Sequence, residues 1–167
     1  QPEVCIQTLQ QAVQMEPDNV WGHYFLATAY RQSSANGYEK ALAVYERVLE
    51  MDPDLADAQM GMAYLYLNQP GKEVLALEAF QKGLDAALKA GDENVAATAR
   101  AELAHLYYAQ DNYTQCVEEW KAVLETDPDN AVAHRRLGLC YAMRRDEGDL
   151  EQAIAEMEQA MELSFGQ

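Results

Sequence analysis

Long apolar runs are absent from this chain. None of its segments reaches the roughly 18 consecutive apolar residues that a helix needs to cross a bilayer, and no signal peptide is recognisable. Basic residues are also scarce, since 12 Lys and Arg stand against 28 Asp and Glu, for a formal net charge of −16. Such a chain would repel both nucleic acid and anionic lipid. We therefore expect a soluble protein of unknown compartment, with no nucleic-acid partner and no direct insertion into a membrane.

The only cluster of basic residues is small. It consists of Arg135, Arg136, Arg144 and Arg145, and acidic residues follow it directly within 146–151. We interpret this segment as a salt-bridged surface rather than as a site for a polyanion.

The sequence motifs of common catalytic and cofactor sites are missing as well. There is no GxGxxG or GxxxxGK[ST] loop to hold a phosphate, no GxSxG nucleophile elbow, no CxxC pair and no HExxH zinc helix. None of the three histidines, His23, His105 and His134, has a second ligand four residues away. We expect no metal, no cofactor, no catalytic residue and no enzymatic activity. An enzyme would require an acid, a base and a pocket that only the folded chain could bring together.

Cysteines are few and odd in number. The chain contains Cys5, Cys116 and Cys140. An odd count, with two of the three at small-residue helix positions, fits reduced buried thiols better than a disulfide framework.

The chain does contain a repeated pair of amphipathic helices. The clearest copy starts at Leu103, breaks at the polar turn 110–112, resumes with Cys116 and Trp120 at helical spacing, and stops at Pro128. Neither helix is long enough to bury its apolar face alone, so such a unit is stabilised by packing on copies of itself.

Copies of both helices recur along the chain at constant spacing. The first-helix anchors are Leu26, Ala27 and Tyr30; Met62, Ala63 and Tyr66; Leu103, Ala104 and Tyr107; and Leu137, Gly138 and Tyr141. The second-helix anchors are Cys5, Leu9 and Ala12; Ala41, Tyr45 and Val48; Ala76, Phe80 and Gly83; Cys116, Trp120 and Val123; and Ala153, Met157 and Ala160. Five second helices are thus matched by four first helices.

These anchors resemble the tetratricopeptide repeat, whose pattern is W-x2-L-G-x2-Y followed by A-x3-F, A and P. The Trp of the pattern is replaced in all four copies, by His23, Gln59, Arg100 and His134. The resemblance implies an all-α fold, an α-solenoid of helical hairpins in a right-handed superhelix with about nine helices. It also implies a single array over residues 1–167, with a lone second helix in 1–17 and four repeats in 18–53, 54–90, 91–128 and 129–167.

The resemblance further implies a ligand-binding groove, because the first helices of this family line a concave face. Carried onto this chain, the groove positions include Trp21, Tyr24, Thr28, Arg31, Met60, Tyr64, Leu67, His105, Tyr108, Arg135 and Leu139. An alternative is that the rings of this set are packed between neighbouring helices instead of facing a ligand. The positions of the Lys/Asn/Arg clamp with which some relatives bind a terminal carboxylate hold other residue types here.

We therefore expect a protein-interaction module whose groove captures an apolar or amphipathic segment of a partner protein. The alternative is a structural spacer or assembly scaffold, whose groove or ends are filled by the rest of a longer parent chain or by self-association. Apolar strips in residues 4–13 and 154–163, at the two ends, favour packing on a neighbouring molecule or on further sequence.

Overall fold

A computed structural model describes residues 2–33 and 37–165, and over these ranges it contains nine α-helices and no strand. The helices are α1 (Pro2–Met15), α2 (Val20–Gln32), α3 (Gly37–Met51), α4 (Ala56–Leu67), α5 (Glu73–Ala90), α6 (Glu93–Ala109), α7 (Tyr113–Thr126), α8 (Ala131–Arg144) and α9 (Asp149–Phe165). The all-α fold of about nine helices expected from the sequence is confirmed. Within the described ranges, no helix is both long and apolar enough to cross a bilayer.

Several of these helices begin at a side chain that caps their free amides. The side-chain oxygen of Asn19 accepts a hydrogen bond of 2.8 Å from the amide of Gly22, and Asn130 accepts one of 3.0 Å from the amide of Ala133. These contacts satisfy donors that a first helical turn leaves without a partner, and they fix where α2 and α8 begin.

The helices form two compact units, Gln1–Gly91 and Asp92–Gln167. In the first unit, α2 packs on α3 and α4 packs on α5, while α1 packs on α2 and α3 on α4. In the second, α6 packs on α7, α7 on α8 and α8 on α9. Each unit therefore consists of consecutive helical hairpins with its own buried core.

In the core of the first unit, the ring of Tyr45 packs directly against Gly61. Tyr45 of α3 is completely buried, and its hydroxyl lies 3.0 Å from Oγ1 of Thr28 in α2. A Cβ atom on Gly61 of α4 would lie 2.6 Å from the hydroxyl oxygen of Tyr45. Only glycine at this position lets α4 approach α3 so closely.

The core of the second unit contains a disulfide. Cys116 of α7 and Cys140 of α8 are bonded, with their Cα atoms 6.0 Å apart, whereas Cys5 is free and exposed. The prediction of three reduced thiols is wrong for this pair. Helical spacing placed Cys116 on the apolar face of α7, but it carried no information on which residue of α8 would lie opposite.

Candidate functional site

In the first unit, α2 carries a surface cluster of three aromatic rings. Trp21, Tyr24 and Phe25 are one helical turn apart or adjacent, and the ring centroid of Tyr24 lies 5.5 Å from that of Trp21 and 5.4 Å from that of Phe25. Trp21 is 50% exposed and Phe25 is 52% exposed. The sequence prediction included Trp21 and Tyr24 but missed Phe25, although its position four residues after Trp21 places it on the same face.

Tyr24 connects this surface cluster to the core of the first unit. Its ring lies 6.2 Å from the buried ring of Tyr45, and it is itself half-buried. Burial, followed by the charge of Asp57, raises the pKa of the Tyr24 hydroxyl above its usual value. The hydroxyl is therefore protonated at neutral pH and is able to donate a hydrogen bond.

A cation lies over an aromatic ring elsewhere in the same unit. The guanidinium carbon of Arg31 is 5.6 Å from the ring centroid of Tyr64, a cation–π distance, and Tyr64 packs edge-on against Phe80 at 5.2 Å. Nε of Arg31 is buried and has no hydrogen-bond partner among the described residues. Because this nitrogen is buried, an acceptor from outside would reach it only after the side chains around it had moved.

The other predicted residues of the first unit are divided between surface and core. Leu67 is 39% exposed. Met60 is buried, with its sulfur 3.1 Å from where a Cβ of Gly83 would lie, and Thr28 is held by its contact with Tyr45. Met60 and Thr28 therefore contact the core of the first unit and contribute little to its surface.

In the second unit, three of the predicted residues line one cavity of about 310 Å³. We call it the α6–α8 cavity. Its lining consists of His105, Tyr108, Cys116, Trp120, Arg136, Leu139 and Cys140. His105, Tyr108 and Leu139 were predicted from the sequence. The others were missed because their assignment depends on how α7 and α8 face each other.

The polar groups of the α6–α8 cavity lie at its rim. The ring of His105 packs edge-on against Trp120 at 5.2 Å, and Nδ1 of His105 is 3.9 Å from a carboxylate oxygen of Glu102. Tyr108 is 37% exposed and packs against Tyr113 at 5.6 Å. Buried Trp120 and half-buried Leu139 thus provide apolar walls, while the imidazole and the phenol are open to solvent.

Arg135 does not line this cavity, although the sequence grouped it with Leu139. Its neighbour Arg136 takes that place, and Arg135 lines a different cavity between α8 and α9. Successive residues of a helix point about 100° apart, so the two adjacent arginines serve different faces of α8.

Within the described residues, no group of three His, Cys, Asp or Glu side chains is placed to hold a metal ion. Helical hairpins with exposed apolar surfaces are typical of α-helical repeat proteins that act as interaction or scaffold modules.

Comparison with known proteins defines the family. The sequence pattern of the tetratricopeptide repeat matches residues 29–93 and 101–164, and the chain belongs to that family. No curated protein matches the chain by sequence. The fold of this family is one of protein-interaction and scaffold modules, and membership of the family supports that class of function for this chain.

Solved structures share the fold at low sequence identity. The structure titled "MamA RS-1 ArsTM double mutant" is 21% identical, with a TM-score of 0.78, over 99% of this chain and 86% of that one. A MamA fragment, "41-end", from Desulfovibrio magneticus RS-1 is 22% identical, with a TM-score of 0.76, over 99% of this chain and 87% of that one. BtubC (BKLC) from P. vanneervenii is 21% identical, with a TM-score of 0.76, over 99% of this chain and 72% of that one. These identities support similarity of fold and nothing more specific.

Proposed function

We propose that this chain is a protein-interaction module that binds an apolar or amphipathic segment of a partner protein at the α6–α8 cavity. The observation that carries the proposal is that His105, Tyr108 and Leu139, which belong to different helices, line one cavity. Its volume of about 310 Å³ lies at the lower end of the range of ligand pockets, roughly 300–1,000 Å³. It suits one large apolar side chain of a peptide rather than a whole small molecule.

The lining indicates what kind of segment would bind. Trp120 and Leu139 offer apolar walls for an anchor residue, and Tyr108 offers a hydroxyl that tolerates water at the rim. Arg136 is exposed and places a positive charge beside the cavity. We therefore expect an apolar anchor with an acidic residue next to it.

The first unit offers a separate surface of similar chemistry. Trp21 and Phe25 are half exposed, and the partly exposed Arg31 lies with its guanidinium over the ring of Tyr64. Aromatic side chains and arginine are the residues that most often dominate binding energy at protein interfaces. Each unit thus has its own aromatic contact for a partner and its own arginine for an acidic residue.

We also infer that the chain is not an enzyme. The cavity contains two cysteines, but they are bonded to each other, so neither is available as a nucleophile. Its histidine packs against Trp120 instead of activating a neighbouring hydroxyl or thiol.

The alternative function, an assembly scaffold, is favoured by a different observation. Ile154, Met161 and Phe165 of α9 are 51%, 53% and 88% exposed, on a face that stacks of this kind normally cover.

A peptide library tests the proposal whatever the natural partner is. Phage-displayed peptides selected on the full chain should converge on an apolar residue beside an acid. Leu139→Trp should abolish binding of the selected peptides by filling the cavity. Leu88→Trp, at a 52% exposed leucine of the first unit, is the matched control and should bind them normally. Absence of enrichment, or equal binding by both variants, would refute the proposal.

A further inference from the structure

The outer face of α8 and α9 presents an apolar surface that no described part of the chain covers. We call it the end surface. It encloses a cavity of about 530 Å³ whose lining includes Val132, Arg135, Met157, Met161 and Phe165. Val132 and Met161 are each 53% exposed and Phe165 is 88% exposed. Exposed apolar side chains grouped in this way mark interaction sites more often than isolated ones do.

The repeat itself shows what covers such a surface. Cys116 in α7 and Ala153 in α9 are the same anchor, so Val117 corresponds to Ile154. Val117 is 2% exposed, in a core cluster to which α8 contributes four residues, whereas Ile154 is 51% exposed.

Two more pairs of positions follow the same pattern. Trp120 is 4% exposed, whereas the corresponding Met157 is only half-buried. Leu124 packs against the core of the second unit, whereas the corresponding Met161 is 53% exposed. α9 therefore has apolar side chains at the positions that are buried in α7, but in α9 these side chains are partly or largely exposed.

The first unit repeats the observation independently. Leu42 and Leu49 of α3 occupy the positions of Ile154 and Met161, and both are packed against a core to which α4 contributes. In each unit, a helix following a second helix covers these positions. The end surface is thus shaped for a helix of the first-helix type.

The charges around the end surface restrict the chemistry of that helix. α9 carries five acidic residues and no Lys or Arg, and the lining of the cavity adds a single base, the exposed Arg135 of α8. Asp149 and Glu156 are paired with Arg144 and His134. The remaining acids, Glu151, Glu158 and Glu162, are exposed. Their spacing of seven and four residues places them in one row along the edge of the apolar strip.

We propose that the end surface binds a basic amphipathic helix of a partner protein, placed against α9 as α8 is placed against α7. The apolar side of that helix fills the cavity, and Lys or Arg on its flank pairs with the exposed acidic row. A second copy of this chain is the less suitable occupant, because each copy carries a net charge of −16 and would repel the other.

The helix α8 supplies a probe of the required chemistry. Its residues 131–144 contain three arginines and no acid, and its apolar side is already shaped for a second helix of this repeat. The probe is a fluorescent synthetic peptide of residues 130–145 in which Cys140 is replaced by serine, added to the full chain. Binding should raise its fluorescence anisotropy with a dissociation constant below about 1 mM, and its circular dichroism should become helical.

Three variants show whether the peptide occupies the end surface. Met161→Glu puts a charge in the cavity and should weaken binding at least about tenfold. Val74→Glu makes the same change at a 65% exposed position of the first unit and should leave binding unchanged. Glu158→Lys with Glu162→Lys should also weaken binding, and so should a peptide whose arginines are replaced by glutamate.

The outcomes separate this proposal from its rivals and from the proposed function. No saturation by 1 mM peptide, or equal binding to the Met161→Glu chain, overturns the proposal. A dimer of the chain alone in sedimentation, lost in Met161→Glu, shows a second copy to be the occupant and also overturns it. Leu139→Trp, which fills the α6–α8 cavity, should leave this binding unchanged, so either proposal can fail without the other.

Discussion

Nδ1 of His134 in α8 lies 2.6 Å from a carboxylate oxygen of Glu156 in α9, while its Nε2 lies 2.9 Å from the carbonyl oxygen of Pro128. Both ring nitrogens therefore face an acceptor. Only the protonated imidazole has a hydrogen on each nitrogen, so the charged form satisfies both contacts. Burial by itself lowers the pKa of His134, but the bonds to Glu156 and Pro128 and the charges of Glu156 and Asp129 outweigh it, and the pKa is raised.

We expect the stability of the second unit to fall at alkaline pH because of this pair. A histidine whose folded pKa lies above its unfolded value of about 6.5 stabilises the fold fully below that unfolded value. The contribution is lost as pH rises through the folded pKa. His134→Gln should therefore cost about 1 kcal/mol at pH 5.5 and clearly less at pH 9, measured by urea unfolding. NMR titration should show that Glu156→Gln lowers the pKa of His134, and an equal cost at both pH values would contradict this account.

Loss of the Cys116–Cys140 disulfide should destabilise the second unit. The bond joins positions 24 residues apart, and closing a loop of this length restricts the unfolded chain by about 3 kcal/mol. Cys116→Ala with Cys140→Ala should lower the unfolding free energy by that order. Cys5→Ala, at the exposed free cysteine, is the control and should have no effect. Titration of the denatured, unreduced protein should find one thiol, and three thiols would disprove the bond.

Gly61→Ala should destabilise the first unit by about 2 kcal/mol or more, because its methyl group would lie 2.6 Å from the hydroxyl of buried Tyr45. Tyr45 is completely buried, so its ring cannot turn out into solvent to make room. If this collision is the cause, Gly61→Ala should cost much less in a Tyr45→Leu background. A double-mutant cycle by chemical denaturation measures the coupling, and additive effects would mean that the glycine is needed for another reason.

Tyr108→Ala should weaken binding of the peptides selected on the α6–α8 cavity by about 2 kcal/mol, the usual effect of removing an aromatic anchor. Its stability should change little, because Tyr108 is 37% exposed. Tyr64→Ala tests the separate surface of the first unit in the same way, with a partner segment that binds there. An equal loss of folding and binding would place these tyrosines in the core, and unchanged binding would place the site elsewhere on the molecule.

The helices, the hairpins and the family could all be predicted from local sequence. Helical periodicity, Asn19 and Asn130 at helix starts, and prolines after helix ends are local signals, and each is interpretable without knowing what the helix packs against. The repeated anchors also predicted residues that the structure buries, such as Ala27, Trp120 and Leu137.

Which side chains meet depended instead on how the helices pack. Packing joined Cys116 to Cys140, buried Met60 against Gly83, and placed Arg136 rather than Arg135 beside Leu139. It also left Ile154 and Met161 open where Val117 and Leu124 are covered. These pairings depend on the rotation of each helix about its own axis. A helix turns about 100° per residue, so a small rotation of α8 about its axis changes which neighbour enters a cavity, and that rotation is set by packing against other helices and not by local sequence.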